Sequence, residues 1–168
     1  VKKKLSKNDL QKKNIYSCPQ TLFKIHPDFD MALAKIAEKD PNSQIIMIET
    51  KRKSHMEKLR ERWSKNYPNL NDNVIFLKNM PLEKFLSLIE ISNVLLDPFH
   101  FGAGVSFSES MVIGTPTITM PGTFMRSRIA AGAYKQMQIT NPPIATNVNH
   151  YVDLAIELAK DTKKNFQL

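Results

Sequence analysis

The sequence predicts an α/β fold: a doubly wound parallel sheet with helices on both faces. Three observations carry that prediction. First, 44–48 (QIIMI), 74–77 (VIFL) and 94–96 (VLL) are short continuous apolar runs, the pattern of strands buried on both faces rather than on one. Second, these runs alternate with amphipathic segments of ten or more residues, the rhythm of βαβ units with right-handed crossovers. Third, residues 94–122 (VLLDPFHFGAGVSFSESMVIGTPTITMPG) read as strand, glycine loop, helix and strand again, half of a nucleotide-binding unit.

In chain order, Ile15 to Cys18 reads as a short strand, and Leu22 to Ile25 as a strand-like run leading to His26-Pro27-Asp28. Asp28 is the expected N-cap of a helix with an apolar face of Met31, Leu33, Ala34, Ile36 and Ala37, stopping near Asp40-Pro41. Lys51 to Tyr67 is a charged helix whose buried stripe is Met56, Leu59 and Trp63, at i, i+3 and i+7. Pro81 opens a helix to about Ser92, burying Leu82, Phe85, Leu86, Leu88 and Ile89. Ser106 and Glu109 have the spacing of a capping box, so the next helix is expected to start at Ser106, with Phe107, Met111, Val112 and Ile113 as its apolar residues. Gly114 sits where a C-terminal cap belongs and Pro116 forbids continuation. Thr117 to Met120 is a strand, Thr123 the expected cap of a helix from Arg126 to Ala133, and Tyr151 to Lys160 a last amphipathic helix.

The chain has 168 residues and a net charge of +8, enough for one domain with a real core. Six lysines against one aspartate before Asn14 supply +5 of that charge, so residues 1–13 form a basic segment or linker end, and the domain proper is expected over 14–168. No interleaved aromatics accompany the lysines, which argues against a nucleic-acid partner. No apolar run approaches a membrane span, and the lysine-rich N-terminal segment lacks the apolar core of a secretory signal. The single cysteine, Cys18, rules out an internal disulfide, and a cytoplasmic location is expected. No metal site is expected, because no His, Cys, Asp and Glu set has ligand spacing. The third glycine of a dinucleotide fingerprint is replaced by Phe107, and neither a Walker loop nor a nucleophile elbow is present.

In open parallel sheets ligands bind beyond the C-terminal strand ends. Lys24, Met80, the 97–104 loop and the 120–123 segment all follow predicted strands or strand-like runs and are expected to share one rim. Gly102 and Gly104 let backbone approach a ligand closely. Val105, Ser106 and Phe107 offer helix N-terminal N–H groups to a phosphate, with an ordinary N-cap as the plainer reading of Ser106. Glu109 is either the capping-box partner or an acceptor for sugar hydroxyls. His100 is a candidate phosphate or sugar contact. Phe85 is either core or a stacking platform for a base, and the Met80 backbone is placed to read a base edge.

The pieces LLDPFHFGAGVSFSES, GTPTITMPG and SRIAAGAYKQM, with Leu22-Phe23-Lys24-Ile25-His26-Pro27 upstream, resemble the C-terminal catalytic half of the O-linked N-acetylglucosamine transferase and SPINDLY family. These are glycosyltransferases of the GT-B type, so the resemblance implies a Rossmann-like, nucleotide-sugar-binding domain. It implies transfer of N-acetylglucosamine or a similar sugar from a UDP- or GDP-linked donor to Ser or Thr hydroxyls of a protein. No further cofactor is implied. Lys24 matches the family lysine on the diphosphate and is the catalytic candidate. Ser106 matches a hydroxyl residue at the phosphate, and Glu109 an acidic residue on the ribose. Where some members carry a His-Thr pair, Gly104 and Val105 stand, and base-holding histidine and lysine positions are apolar here. The acceptor and the other wall of the site are implied to come from a preceding domain and tetratricopeptide (TPR) repeats, the chain being part of a longer protein. A sugar-nucleotide epimerase of the same architecture and a non-enzymatic nucleotide-binding module are the alternatives.

Overall fold

A computed structural model of the chain describes residues 13–161. Five parallel strands, β1 (Asn14–Cys18), β2 (Ser43–Ile48), β3 (Val74–Leu77), β4 (Val94–Leu96) and β5 (Thr117–Ile118), form one sheet in the order β3-β2-β1-β4-β5. The register pairs Tyr16 with Ile45 and Val94, and Leu96 with Ile118. The order reverses direction between β1 and β4, which makes the rim beyond those two strands the natural ligand crevice. The chain 1–13 called the basic segment lies outside the described residues except for Lys13.

Helices cover both faces, as the two-sided apolar strands require. One face buries Tyr16, Cys18, Ile45, Met47, Val94, Leu96 and Ile118 against α1 (Pro27–Lys39), α2 (Lys53–Asn66) and α7 (Val148–Lys160). The opposite residues of the same strands, Ile15 and Ile46, pack on Leu88 of α4 (Leu82–Ile91). A third cluster joins Phe107 and Met111 of α5 (Val105–Ile113) to Ala130 and Tyr134 of α6 (Ile129–Gln136). A single turn of helix, α3 (Leu70–Asn73), leads directly into β3. Among the described residues no helix is long and apolar enough to cross a membrane.

Several local expectations are corrected. Pro27 takes the first helical position of α1, so the cap is His26, whose Nδ1 accepts the Asp28 N–H at 3.2 Å; Asp28 lies inside the helix. Leu22–Lys24 is a 3-10 turn, not an extended run. Leu82 is 60% exposed and Val112 84% exposed, Leu82 because it stands at the solvent side of the first turn of α4. In α2, Leu59 and Trp63 are buried while Met56 is half-buried. Helix α7 begins at Val148 with Asn147 as cap, three residues before the expected Tyr151. The expected 126–133 helix is split into a 3-10 turn, Met125–Ser127, and α6, and Thr123 caps neither.

The capping box at Ser106 does not form. The loop closes earlier, at Gly104, whose carbonyl accepts the Phe107 N–H at 3.0 Å, so α5 starts at Val105. Ser106 is thereby left inside the first turn with its hydroxyl free to bond elsewhere. Gly114 caps the other end at φ 90°, the left-handed conformation its lack of Cβ permits.

Candidate functional site

The site is built around what lies beyond the ends of β1 and β4. After β1 the chain runs through Gln20 into the 3-10 turn, which carries Lys24 back over the strand end. Its Nζ donates to Gln20 Oε1 at 2.9 Å and to the Gly102 carbonyl at 3.1 Å, and lies 4.4 Å from the Phe101 ring centroid. The Gln20 amide Nε2 in turn donates to Ser106 Oγ.

The direction of these bonds follows from the donor inventory. An ammonium only donates, so Gln20 must show it the carbonyl oxygen. The amide nitrogen is then turned to Ser106, and Ser106 Oγ must accept. Its own O–H is therefore left to donate. The N–H groups of Val105 and Ser106, in the first turn of α5, have no intrahelical acceptor in reach. An ammonium, a donating hydroxyl and free backbone N–H groups thus stand on one rim, a set suited to a phosphate.

Beneath the loop is Asp97, 3% exposed. Its Oδ1 accepts the Ala103 N–H and its Oδ2 accepts the Thr119 hydroxyl at 2.7 Å, while Tyr151 OH donates to its main-chain carbonyl at 3.0 Å. Burial pushes the Asp97 carboxyl up to about 6, against the lowering effects of Thr119, the Ala103 N–H and the Lys24 charge. Burial also lowers the Lys24 ammonium, opposed first by the Asp97 charge. Each group thus favours the charged form of the other.

On the outer side of Lys24 is a pocket of about 370 Å³ whose lining includes Phe23, Lys24, His26, His100, Phe101 and Arg126. His100 adopts φ 71°, and Arg126 Nε donates to its carbonyl at 3.0 Å. Its Nε2 lies 2.7 Å from Asp28 Oδ2, and its ring meets the His26 ring edge-on at 4.6 Å. Three-dimensional folding therefore gathers His26, Asp28 and His100 within 4.8 Å of one another, a juxtaposition that sequence spacing does not show. His26 Nδ1 is engaged as the cap of α1, and Lys24 and Arg126 stand on the same pocket, so the trio acts as a clasp between the loop and α1.

Of the sequence candidates, Lys24, Gly102, Gly104, Val105 and Ser106 converge on this rim, with His100 on the adjoining pocket wall. Glu109 is half-buried one turn along α5. Met80 and Phe85 lie apart from the Lys24 cluster. Met80 is half-buried against the Ile15, Ile46 and Leu88 cluster, and its N–H bonds Asn79 Oδ1 at 2.9 Å. Phe85 is half-buried on α4, which packs beside α5. Sequence reasoning put Asp97 and Phe101 on the rim, within the 97–104 loop, without giving either a role, and passed over Gln20. Asp97 had a signal, an acid closing a wholly apolar strand; Gln20 had none.

A family model described as glycosyl transferase family 41 matches residues 5–168. The chain belongs to glycosyl transferase family 41. This family 41 domain is 24% identical over 108 residues to a UDP-glucose:protein N-beta-glucosyltransferase of Actinobacillus pleuropneumoniae serotype 5b, a match covering 64% of the chain and 17% of that relative. Among solved structures it is similar to a point mutant of the Thermobaculum terrenum O-GlcNAc transferase, with a TM-score of 0.76 and 20% identity over 88% of this chain and 28% of that one. It is also similar to Anabaena HepE in complex with UDP and glucose, with a TM-score of 0.62 and 14% identity over 96% of this chain and 45% of that one. The fold of this family 41 domain is therefore the Rossmann-like fold of GT-B glycosyltransferases. It spans about a sixth of the length of the curated relative it matches.

Proposed function

We propose that this family 41 domain binds the nucleotide diphosphate of a sugar donor, and that the longer protein transfers the sugar to a protein side chain. The observation that carries the reading is the Lys24–Gln20–Ser106 chain of hydrogen bonds, which aims an ammonium and a hydroxyl donor at the space before α5. As the sugar leaves, negative charge grows on the diphosphate. Lys24 is placed to offset it, and the Val105 and Ser106 N–H groups add fixed dipoles. Glu109 suits the ribose hydroxyls, since a carboxylate beside a phosphate would be repelled. Phe85, on the helix α4 that packs beside α5, is in this reading the residue that flanks the base.

Uridine is the preferred base. The Actinobacillus relative is named for UDP-glucose, and the HepE structure holds UDP. The transferred sugar is a hexose of the glucose or N-acetylglucosamine kind. The relatives divide by name between N- and O-linked transfer, and the reading assigns the choice of accepting atom to the part of the protein outside this domain. Membership of family 41 favours transferase over the epimerase reading.

The test is calorimetric titration with UDP and with uridine. Ser106→Ala is expected to weaken UDP binding by roughly ten- to a hundredfold, about the 1.5–3 kcal/mol of a hydrogen bond to a charged group, and to leave uridine unchanged. Equal losses for both ligands would remove Ser106 from the phosphate site.

A further inference from the structure

The Gly102–Ala103 turn is the part of the rim that touches Lys24, and nothing in its own sequence makes it rigid. We infer that Asp97 is the positioning residue that holds this turn in its donor-binding shape, an inference that rests on the nucleotide-binding reading above. Asp97 makes no hydrogen bond to Lys24, Val105 or Ser106; it holds their geometry through the turn, while its charge favours the Lys24 ammonium.

The geometry assigns each oxygen a separate task. Oδ1 receives the Ala103 N–H, which draws the turn down onto the end of β4. Oδ2 receives the Thr119 hydroxyl, which ties the carboxylate to the segment after β5. The carboxylate is thereby locked between two strand ends and cannot follow the loop. From above, the turn presses on it closely. A Cβ placed on Gly102 would stand 2.8 Å from Oδ2 and 2.9 Å from Oδ1, closer than real Cβ contacts come, so only glycine fits while Asp97 is there. With the turn so seated, the Gly102 N–H donates to the Arg126 carbonyl at 2.9 Å and the Gly102 carbonyl faces Lys24 Nζ at 3.1 Å. Position of the ammonium thus follows from Asp97 through one residue.

The same geometry makes the roles of charge and shape separable. In Asp97→Asn the amide oxygen can accept the Ala103 N–H, and the amide nitrogen can donate to Thr119 Oγ1, since a hydroxyl both donates and accepts. Shape is kept and the negative charge is lost. In Asp97→Ala both ties go. A double-mutant cycle with Gly102→Ala then tests whether the two residues act as a unit.

UDP and uridine affinities are measured on the whole chain for wild type, Asp97→Asn, Asp97→Ala, Gly102→Ala and the Asp97→Ala/Gly102→Ala double variant, with backbone amide exchange at Ala103 as a second readout. Expected are a loss of UDP affinity of tenfold or more in Asp97→Ala, within about fivefold in Asp97→Asn, and a comparable loss in Gly102→Ala that the double variant does not add to. Uridine affinity is expected to stay unchanged throughout, and the Ala103 amide to exchange faster in Asp97→Ala than in Asp97→Asn. Additive losses, or uridine weakened as much as UDP, would reduce Asp97 to a general stability residue and overturn the inference. If Asp97→Ala fails to fold, Gly102→Ala binding UDP as wild type would overturn it alone. Wild type binding no UDP would remove the nucleotide site itself, and the positioning role with it; wild type binding UDP with Asp97→Ala unchanged would remove only the positioning role.

Discussion

Gln20 decides which way its neighbours' hydrogen bonds point. Lys24 can only donate, so the amide is oriented, and Ser106 keeps a proton to give. None of this was legible in the sequence, because Gln20 stands between a strand and a turn with no motif around it. Lys24 and Ser106 were legible only through their place in a longer pattern. Ser106 was expected to cap the helix, but Gly104 ends the loop first. Asp97 yields a pH prediction at this scale. Its carboxyl is raised to about 6 in the fold from an ordinary value of 3.8, so the folded state holds its proton more tightly than the unfolded chain. The stabilisation from this group is therefore full below about pH 4 and is lost as pH rises through 6, a swing of about 3 kcal/mol. Carbon NMR of the Asp97 carboxyl is expected to show a midpoint near 6, and Asp97→Asn to flatten stability between pH 4 and pH 7 relative to wild type. A midpoint at the ordinary aspartate value would contradict the burial argument.

The elements themselves were largely legible, because their signals are local. Continuous apolar runs marked β2, β3 and β4, and the i, i+3, i+7 spacing marked the buried side of α2. What failed were boundaries and exposure, which depend on neighbours. Leu82 and Val112 look like core residues in sequence, yet they point away from the sheet. Trp63→Ala is expected to cost roughly 3–5 kcal/mol, since the ring is wholly buried and stacks beside Phe76 at 6.0 Å. Leu82→Ala is expected to stay within about 0.5 kcal/mol. Chemical denaturation of the two variants checks the contrast. A second element-scale tie is the Arg62 guanidinium of α2, bonded to both oxygens of Asp30 on α1 at 2.6 and 2.9 Å and to the Ile25 carbonyl at 3.0 Å. Asp30 is 1% exposed, so Arg62→Ala strands a buried carboxylate and is expected to cost roughly 3–5 kcal/mol. Denaturation of this variant at neutral pH gives the comparison; a loss below 1 kcal/mol would show the pair to be dispensable.

At the scale of the whole molecule, the sheet order places β1 and β4 side by side, and their two following loops make the rim. The order was not read from sequence, since nothing in the strands specifies which neighbours pair. The rim carries exposed apolar groups, Phe23 at 62%, Phe124 at 61% and Val105 at 76%. Under the proposed function this chain forms one wall of a donor cleft that a second domain completes. Holding an acceptor in place is worth roughly 7–11 kcal/mol of barrier, and the proposal assigns that contribution to the other wall. The chain alone is therefore expected to bind a nucleotide diphosphate and to transfer no sugar to a peptide panel; robust transfer would contradict the division of labour. The central claim is that the Lys24 and Ser106 rim holds the diphosphate, and its most direct test is calorimetric titration of this chain with UDP, in wild type and in Lys24→Ala. The account predicts saturable one-to-one binding that Lys24→Ala weakens by roughly ten- to a hundredfold, the 1.5–3 kcal/mol of a hydrogen bond to a charged group. Absence of binding by wild type, or equal affinity in the two proteins, would contradict it.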